Sequence, residues 1–152
     1  MRSRRLRRWA AAILLFGAAG AAAMLLWQAL VPTQPTGPLA LVEPDAGTED
    51  ARTEGVLEVT NECVRLHVPN GDLTLVIWVR GSVAWSETDR VILVTRRDGD
   101  ESILRDGDRV VLGGSGGAMD ALDSAGRWAR RPAPGCAADN WWVASEVLVG
   151  QS

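Results

Sequence analysis

The sequence predicts an all-β fold for the C-terminal part of the chain, a small OB-like β-barrel or, as the alternative, a β-sandwich. Short apolar segments alternate with turn residues, and Asn70-Gly71 separates two of them in the pattern of a tight hairpin. This number of short strands is typical of a small barrel or sandwich. The predicted strands cover residues 56–60, 63–68, 73–80, 90–96, 102–105, 109–112 and 141–149.

Alternation along one predicted apolar strand indicates which of its residues are buried. In segment 73–80, Leu75 and Ile77 fall on a predicted core face, whereas Trp78 falls on a face that we expect to be partly covered. A helical pattern occurs within the domain at residues 118–125, and Gly126 follows as a stop signal.

The N-terminal part of the chain is predicted to be a single transmembrane helix. Five arginines lie in residues 1–8, a basic segment that we expect to be cytoplasmic, and the predicted anchor follows at residues 9–31. Residues 10–31 carry no charge, and a helix of about 22 residues is roughly 33 Å long, which matches a bilayer core. A cleaved signal peptide ending at Ala21-Ala22-Ala23 is the alternative.

Both interpretations of the N-terminus predict the same compartment for the rest of the chain. Arginines before the apolar segment and acids after it orient the N-terminus inward. A linker rich in proline and acids is predicted at 32–54, and an extracytoplasmic β domain at 55–150. Cys63 and Cys136 are expected to form a disulfide in that oxidising compartment. The chain is thus expected in the cell membrane as a single-pass protein, or secreted after cleavage.

The charge distribution argues against nucleic acid as a partner. The chain has a net charge of −3, but the part after residue 8 holds eleven arginines against nineteen acids. Phosphate binding depends on neutralising cations, so this part of the chain, with a net charge of −8, is expected to repel nucleic acid.

Catalytic, cofactor and metal sites are not predicted. Residues 113–117 match G-x-S-x-G around Ser115, so a serine hydrolase remains a weaker alternative, but His67 precedes the serine, against the order in hydrolases of that motif. No Lys-Ser/Thr follows these glycines, so a phosphate cofactor is not expected. With His67 as its only histidine, the chain cannot assemble a usual zinc site.

The tryptophans suggest a binding surface instead. Neighbouring residues on a strand point to opposite faces, so one ring of Trp141-Trp142 is expected to face outward unless something covers it. Trp85 and Trp128 fall in predicted loops. The candidate binding surface comprises Trp85, Trp128, Trp141, Trp142, Arg127, Arg130 and Arg131. We therefore predict a non-enzymatic interaction module that binds an envelope protein, or alternatively a cell-wall glycan.

Four short segments also carry a resemblance. They are Gly55-Val56-Leu57-Glu58-Val59, Cys63-Val64-Arg65-Leu66, Val76-Ile77-Trp78 and residues 107–114, GDRVVLGG. Their layout is similar to that of small exported or membrane-anchored proteins of unknown function from GC-rich Gram-positive bacteria. The resemblance implies the fold and the cellular location, and it implies no catalytic residue.

Overall fold

The computed structural model describes residues 37–44, 51–96 and 99–148. These ranges form ten strands and one 3-10 helix, so the all-β prediction is confirmed. The strands are β1 (Ala40–Val42), β2 (Ala51–Val59), β3 (Val64–His67), β4 (Leu73–Val79), β5 (Val83–Ser86), β6 (Val91–Thr95), β7 (Glu101–Leu104), β8 (Arg109–Ala118), β9 (Trp128–Arg130) and β10 (Asn140–Val147). The 3-10 helix, Met119–Ala125, coincides with the predicted helical segment.

Five of the strands close into a barrel. Strands β2, β3 and β4 form an antiparallel meander, and β10 pairs in parallel with β4. Strand β8 pairs antiparallel with both β10 and β2, which closes the ring. The prediction of a barrel is therefore confirmed, and the alternative of two stacked sheets is not what the pairing shows.

Strand β4 is buried on both faces, which corrects the expectation of one partly covered face. Val76 and Trp78 point into the barrel, where Trp78 is 1% exposed, and Leu75 and Ile77 pack in a second cluster outside it. The reason is that β4 is covered from outside by residues that come from distant parts of the chain. Alternation along the strand identifies two faces but not what covers them.

A small second sheet, in the order β5-β6-β7, packs against the barrel interior. Trp85, Ile92 and Leu104 from these three strands belong to the same apolar cluster as Trp78. The sheet therefore extends the barrel core.

The second apolar cluster lies between β4 and the connection from β8 to β10. Ala125 and Cys136 from this connection pack with Leu75 and Ile77. The predicted disulfide is present between Cys63 and Cys136 and joins the connection to the turn between β2 and β3. The segment that covers β4 is thus covalently attached to the barrel.

Part of the predicted linker 32–54 belongs to the fold. It contains β1 and the first residues of β2, and Ala40 and Val42 are buried. Strand β3 pairs with the first half of β4, opposite residues 73–75, whereas β1 pairs with residues 77–79. Strand β1 therefore forms hydrogen bonds with backbone groups of β4 that β3 does not reach. This pairing depends on tertiary structure, so three apolar residues between prolines do not reveal it in the sequence.

The predicted anchor at 9–31, its alternative cleavage site and the cytoplasmic segment 1–8 lie outside the described residues. Among residues 37–44, 51–96 and 99–148, there is no helix with the length and hydropathy that a bilayer crossing requires.

Candidate functional site

A cleft of about 600 Å³ opens at one end of the barrel. The strands that surround it are the beginnings of β2, β4 and β10 and the end of β8, together with the turn from β3 to β4. We call it the mouth cleft. Its lining comprises residues 52–54, 68–70, 72, 74, 116–118 and 140–142.

Trp142 forms the aromatic part of the mouth cleft. Its side chain is half-buried and packs on one side against the barrel core. Gly116 lies opposite it on β8, and a Cβ added at this glycine would come within 2.5 Å of Trp142 Cε3. The absence of a side chain at residue 116 therefore gives the indole its position at the barrel end.

Trp141 points to the other face of β10. It is 6% exposed and packs in the second cluster with Leu75 and Ile77. Gly117 faces it on β8, and a Cβ there would lie 2.8 Å from Trp141 Cζ2. The two neighbouring tryptophans thus diverge as expected for a strand, and Trp142 is the more exposed of the two.

Three polar side chains form a hydrogen-bonded group at the cleft. Asp72 Oδ2 accepts one hydrogen bond from Asn70 Nδ2 at 2.9 Å and another from Asn140 Nδ2 at 3.1 Å. The Asp72 backbone N–H donates to Asn70 Oδ1 at 3.1 Å. We call these residues the amide–carboxylate group; their bonds connect the β3–β4 turn to the beginning of β10.

The position of this group is fixed by the residue beside it. Asp139 Oδ2 accepts from the Leu73 backbone N–H at 2.8 Å, and the Asp139 N–H donates to the Leu73 carbonyl oxygen at 2.7 Å. These bonds hold the first residue of β4 next to the start of β10. Asn140 and Asp72 are consequently held within hydrogen-bond distance of each other.

The charged residues of the mouth cleft are one cation and two acids. Arg52 and Glu54 are exposed on β2, and Asp72 belongs to the amide–carboxylate group. The lining therefore has a net charge of −1. In the part of the chain that the structure describes, no three acidic, histidine or cysteine side chains are grouped so that they could hold a metal ion.

The structure does not bring the seven predicted surface residues together. Trp85, expected in a loop, lies in β5 and is 9% exposed, and its Nε1 donates to Glu87 Oε2 at 2.6 Å. The expectation that Trp85 belongs to a binding surface is therefore wrong. Trp85 is a core residue, because the second sheet packs its apolar face against the barrel. Trp141 is buried as well.

The other predicted residues lie away from the mouth cleft. Trp128 is half-buried in β9, and the Arg131 guanidinium carbon lies 5.4 Å from its ring centre. Arg131 also pairs with Asp123 at 2.8 Å. Arg130 and Arg131 line a smaller hollow of about 150 Å³, and Arg127 is exposed.

Ser115 and His67 do not lie in a hydrolase arrangement. Residues 113–117, which match G-x-S-x-G, lie within β8, where Ser115 is opposite Val143. His67 is exposed on β3, and its Nε2 lies 3.2 Å from Glu58 Oε2. The exposed serine of a nucleophile elbow requires a tight strand-to-helix turn, which a serine inside a paired strand does not have.

Sequence reasoning missed the amide–carboxylate group. Asn70 and Asp72 flank Gly71 and are typical turn residues, while Asn140 lies 68 positions after Asp72. Their common location follows from the parallel pairing of β4 with β10, which the sequence pattern does not reveal.

No protein-family model matches the chain, and no similar curated protein or solved structure was found.

Proposed function

We propose that this chain is a membrane-anchored, extracytoplasmic binding module that acts without catalysis, and that the mouth cleft holds its ligand. One observation carries the proposal: the cleft combines a half-buried indole, Trp142, with the hydrogen-bonded Asn70, Asp72 and Asn140. Its volume of about 600 Å³ is in the range of ligand pockets, about 300–1,000 Å³. Apolar walls with a few fixed polar groups are typical of such pockets.

We further propose that the barrel is an OB-fold. The strand pairing supports this proposal. Strands β2, β3 and β4 form a three-stranded meander, β10 pairs in parallel with β4, and β8 pairs antiparallel with β10 and returns to β2. OB-folds bind oligonucleotides and oligosaccharides through their second and third strands and two adjacent loops. Here the outside of β4 is covered by Ala125, Cys136 and Trp141, so the cleft at the barrel end is the better candidate.

The proposed location depends on charge and cysteine chemistry. The basic N-terminal segment, the uncharged residues 10–31 and the acids that follow favour an anchor with the domain exported. Disulfides persist in oxidising compartments, and Cys63–Cys136 supports the same location.

Cleft-dependent crosslinking tests the proposal. The full-length chain with a C-terminal tag is crosslinked in cells, and the recovered envelope component, protein or glycan, is compared with that from Asp72→Ala and Trp142→Leu chains. We expect both substitutions to abolish recovery. Arg131→Ala, which changes an exposed side chain outside the mouth cleft, serves as the control and should leave recovery unchanged. Equal recovery by all four chains would show that the cleft is not the binding site.

A further inference from the structure

We infer that the mouth cleft binds a neutral oligosaccharide, with one sugar ring against the Trp142 indole and its hydroxyl groups hydrogen-bonded to the amide–carboxylate group. This inference rests on the proposed binding function and specifies the chemical class of the ligand. Four properties of the cleft support it: its size, its aromatic wall, its unused hydrogen-bonding capacity and its charge.

The size and shape of the cleft suit a short chain of rings. A volume of about 600 Å³ exceeds what a single sugar ring fills. On the β8 side, Trp142 packs against Gly116 and Trp141 against Gly117, so the cleft wall there combines indole surface with the Ala118 methyl group.

The aromatic wall provides an apolar face that is already fixed. Trp142 packs against the barrel core and against Gly116, so its indole has little freedom to lose when a ligand binds. A pyranose ring has one face of C–H groups, whose positive hydrogens are attracted to the negative face of an aromatic ring. An indole at the edge of a polar cleft is thus complementary to a sugar.

The amide–carboxylate group retains capacity for hydroxyl groups. Asp72 Oδ2 accepts two hydrogen bonds, whereas Asp72 Oδ1 and Asn140 Oδ1 accept none from the residues that the structure describes. A carboxylate or amide oxygen accepts from a hydroxyl, and the second N–H of an amide can donate to one. Because Asn70, Asp72 and Asn140 hold one another in place, these atoms are positioned before a ligand arrives.

The charge of the cleft selects against anionic ligands. Asp72 lies at the centre of the polar group, and β2 contributes a second acid, Glu54, and one arginine, Arg52. A phosphate or sulfate near Asp72 would meet a carboxylate that is not paired with a cation among the described residues. Hydroxyl groups without charge do not incur this repulsion.

Ligand-observed saturation-transfer NMR tests the inference with the full chain in lipid nanodiscs, which avoids detergents with sugar headgroups. The probes are three neutral trisaccharides at millimolar concentration: maltotriose, cellotriose and triacetylchitotriose. Trigalacturonic acid, whose C–H protons the method can observe, is the anionic comparison. We expect at least one neutral trisaccharide to bind and trigalacturonic acid to show no saturation transfer.

Substitutions then locate the binding. Trp142→Leu removes the aromatic ring but keeps an apolar side chain, and Asp72→Asn removes the charge but keeps the shape of the side chain. Each is expected to weaken trisaccharide binding about tenfold, which corresponds to about 1.4 kcal/mol. Trp128→Leu removes a half-buried indole outside the cleft and should leave the affinity unchanged. Circular dichroism establishes whether each variant is folded, and Asp72→Asn decides the test if Trp142→Leu unfolds.

Two outcomes would overturn the inference. One is the failure of all three trisaccharides to bind, and the other is binding that the folded Asp72→Asn chain retains unchanged. If trisaccharides fail while crosslinked recovery still depends on Asp72, the saccharide is wrong and the binding module stands. If recovery is also independent of Asp72, the proposed function fails with it.

Discussion

At the level of single residues, Gly114 shows how closely β8 and β10 approach each other. Its φ is +153°, and a Cβ added there would overlap the carbonyl oxygen of Val143 on β10. Strand β8 pairs with β2 on its other side, so it cannot move away from β10 without opening the barrel. Strand packing therefore requires glycine at position 114.

Gly114→Ala is expected to lower the free energy of unfolding by about 3 kcal/mol, because the new methyl group forces the two strands apart. Urea denaturation measures the loss. Gly81→Ala is the matched control: its φ of +88° is also unfavourable for alanine, but nothing lies within 4 Å of the added Cβ. A cost of about 1 kcal/mol is expected there. Equal losses at both positions would mean that backbone conformation, and not space, is the reason for glycine at 114.

The site residues differ in how well the sequence predicts them. Alternation along a strand was sufficient to separate Trp141 from Trp142, because it depends on neighbours in sequence. Trp85 could not be assigned, since its burial requires the second sheet to pack on the barrel. The meeting of Asp72 with Asn140 was equally inaccessible, because it depends on pairing between β4 and β10.

At the level of elements, β1 is a strand that the sequence pattern does not predict. Three residues are too few to show a period of two, and the prolines around them indicate a linker. The strands β3, β4, β6, β7 and β10 were predicted closely because each combines apolar alternation with a flanking turn signal. Strand β1 instead exists because the second half of β4 needs a partner.

The importance of the β1 segment can be measured at Leu39. This side chain is 2% exposed and belongs to the main core cluster, so Leu39→Ala is expected to cost about 3 kcal/mol. Ile103→Ala, at a residue 49% exposed, should cost about 0.5 kcal/mol. Thermal and urea unfolding give both values. A Leu39→Ala chain as stable as the Ile103→Ala chain would mean that residues 37–44 are a linker after all.

The disulfide holds the connection between β8 and β10 on the barrel. Its cysteines are 73 positions apart, and a loop of this length is stabilised by up to about 4 kcal/mol. Replacing both Cys63 and Cys136 with alanine should therefore lower the midpoint of urea unfolding. Reductant should lower the midpoint of the wild-type chain by a similar amount and leave that of the variant unchanged. A reductant effect on both chains would assign the loss to something other than this bond.

At the level of the whole molecule, positive charge is concentrated at the N-terminus. Five of the sixteen arginines lie in the first eight residues, and the remaining chain carries an excess of acid. This asymmetry is expected of a protein whose N-terminus stays in the cytoplasm while the remainder crosses the membrane. Since disulfides persist in oxidising compartments and are rare in the cytosol, the redox state of Cys63 and Cys136 in cells reports where the domain folds.

That relation gives a prediction about location. In growing bacteria, Cys63 and Cys136 of the full-length chain should resist a maleimide reagent added under denaturing conditions, whereas both thiols should react in a chain that begins at Gln34. A gel shift measures the number of modified thiols, and the chain with both cysteines replaced by alanine provides the unmodified reference. The mass of the full-length product distinguishes a retained anchor from cleavage after Ala23. Reactive thiols in the full-length chain would contradict export, because a cytoplasmic domain would keep its cysteines reduced.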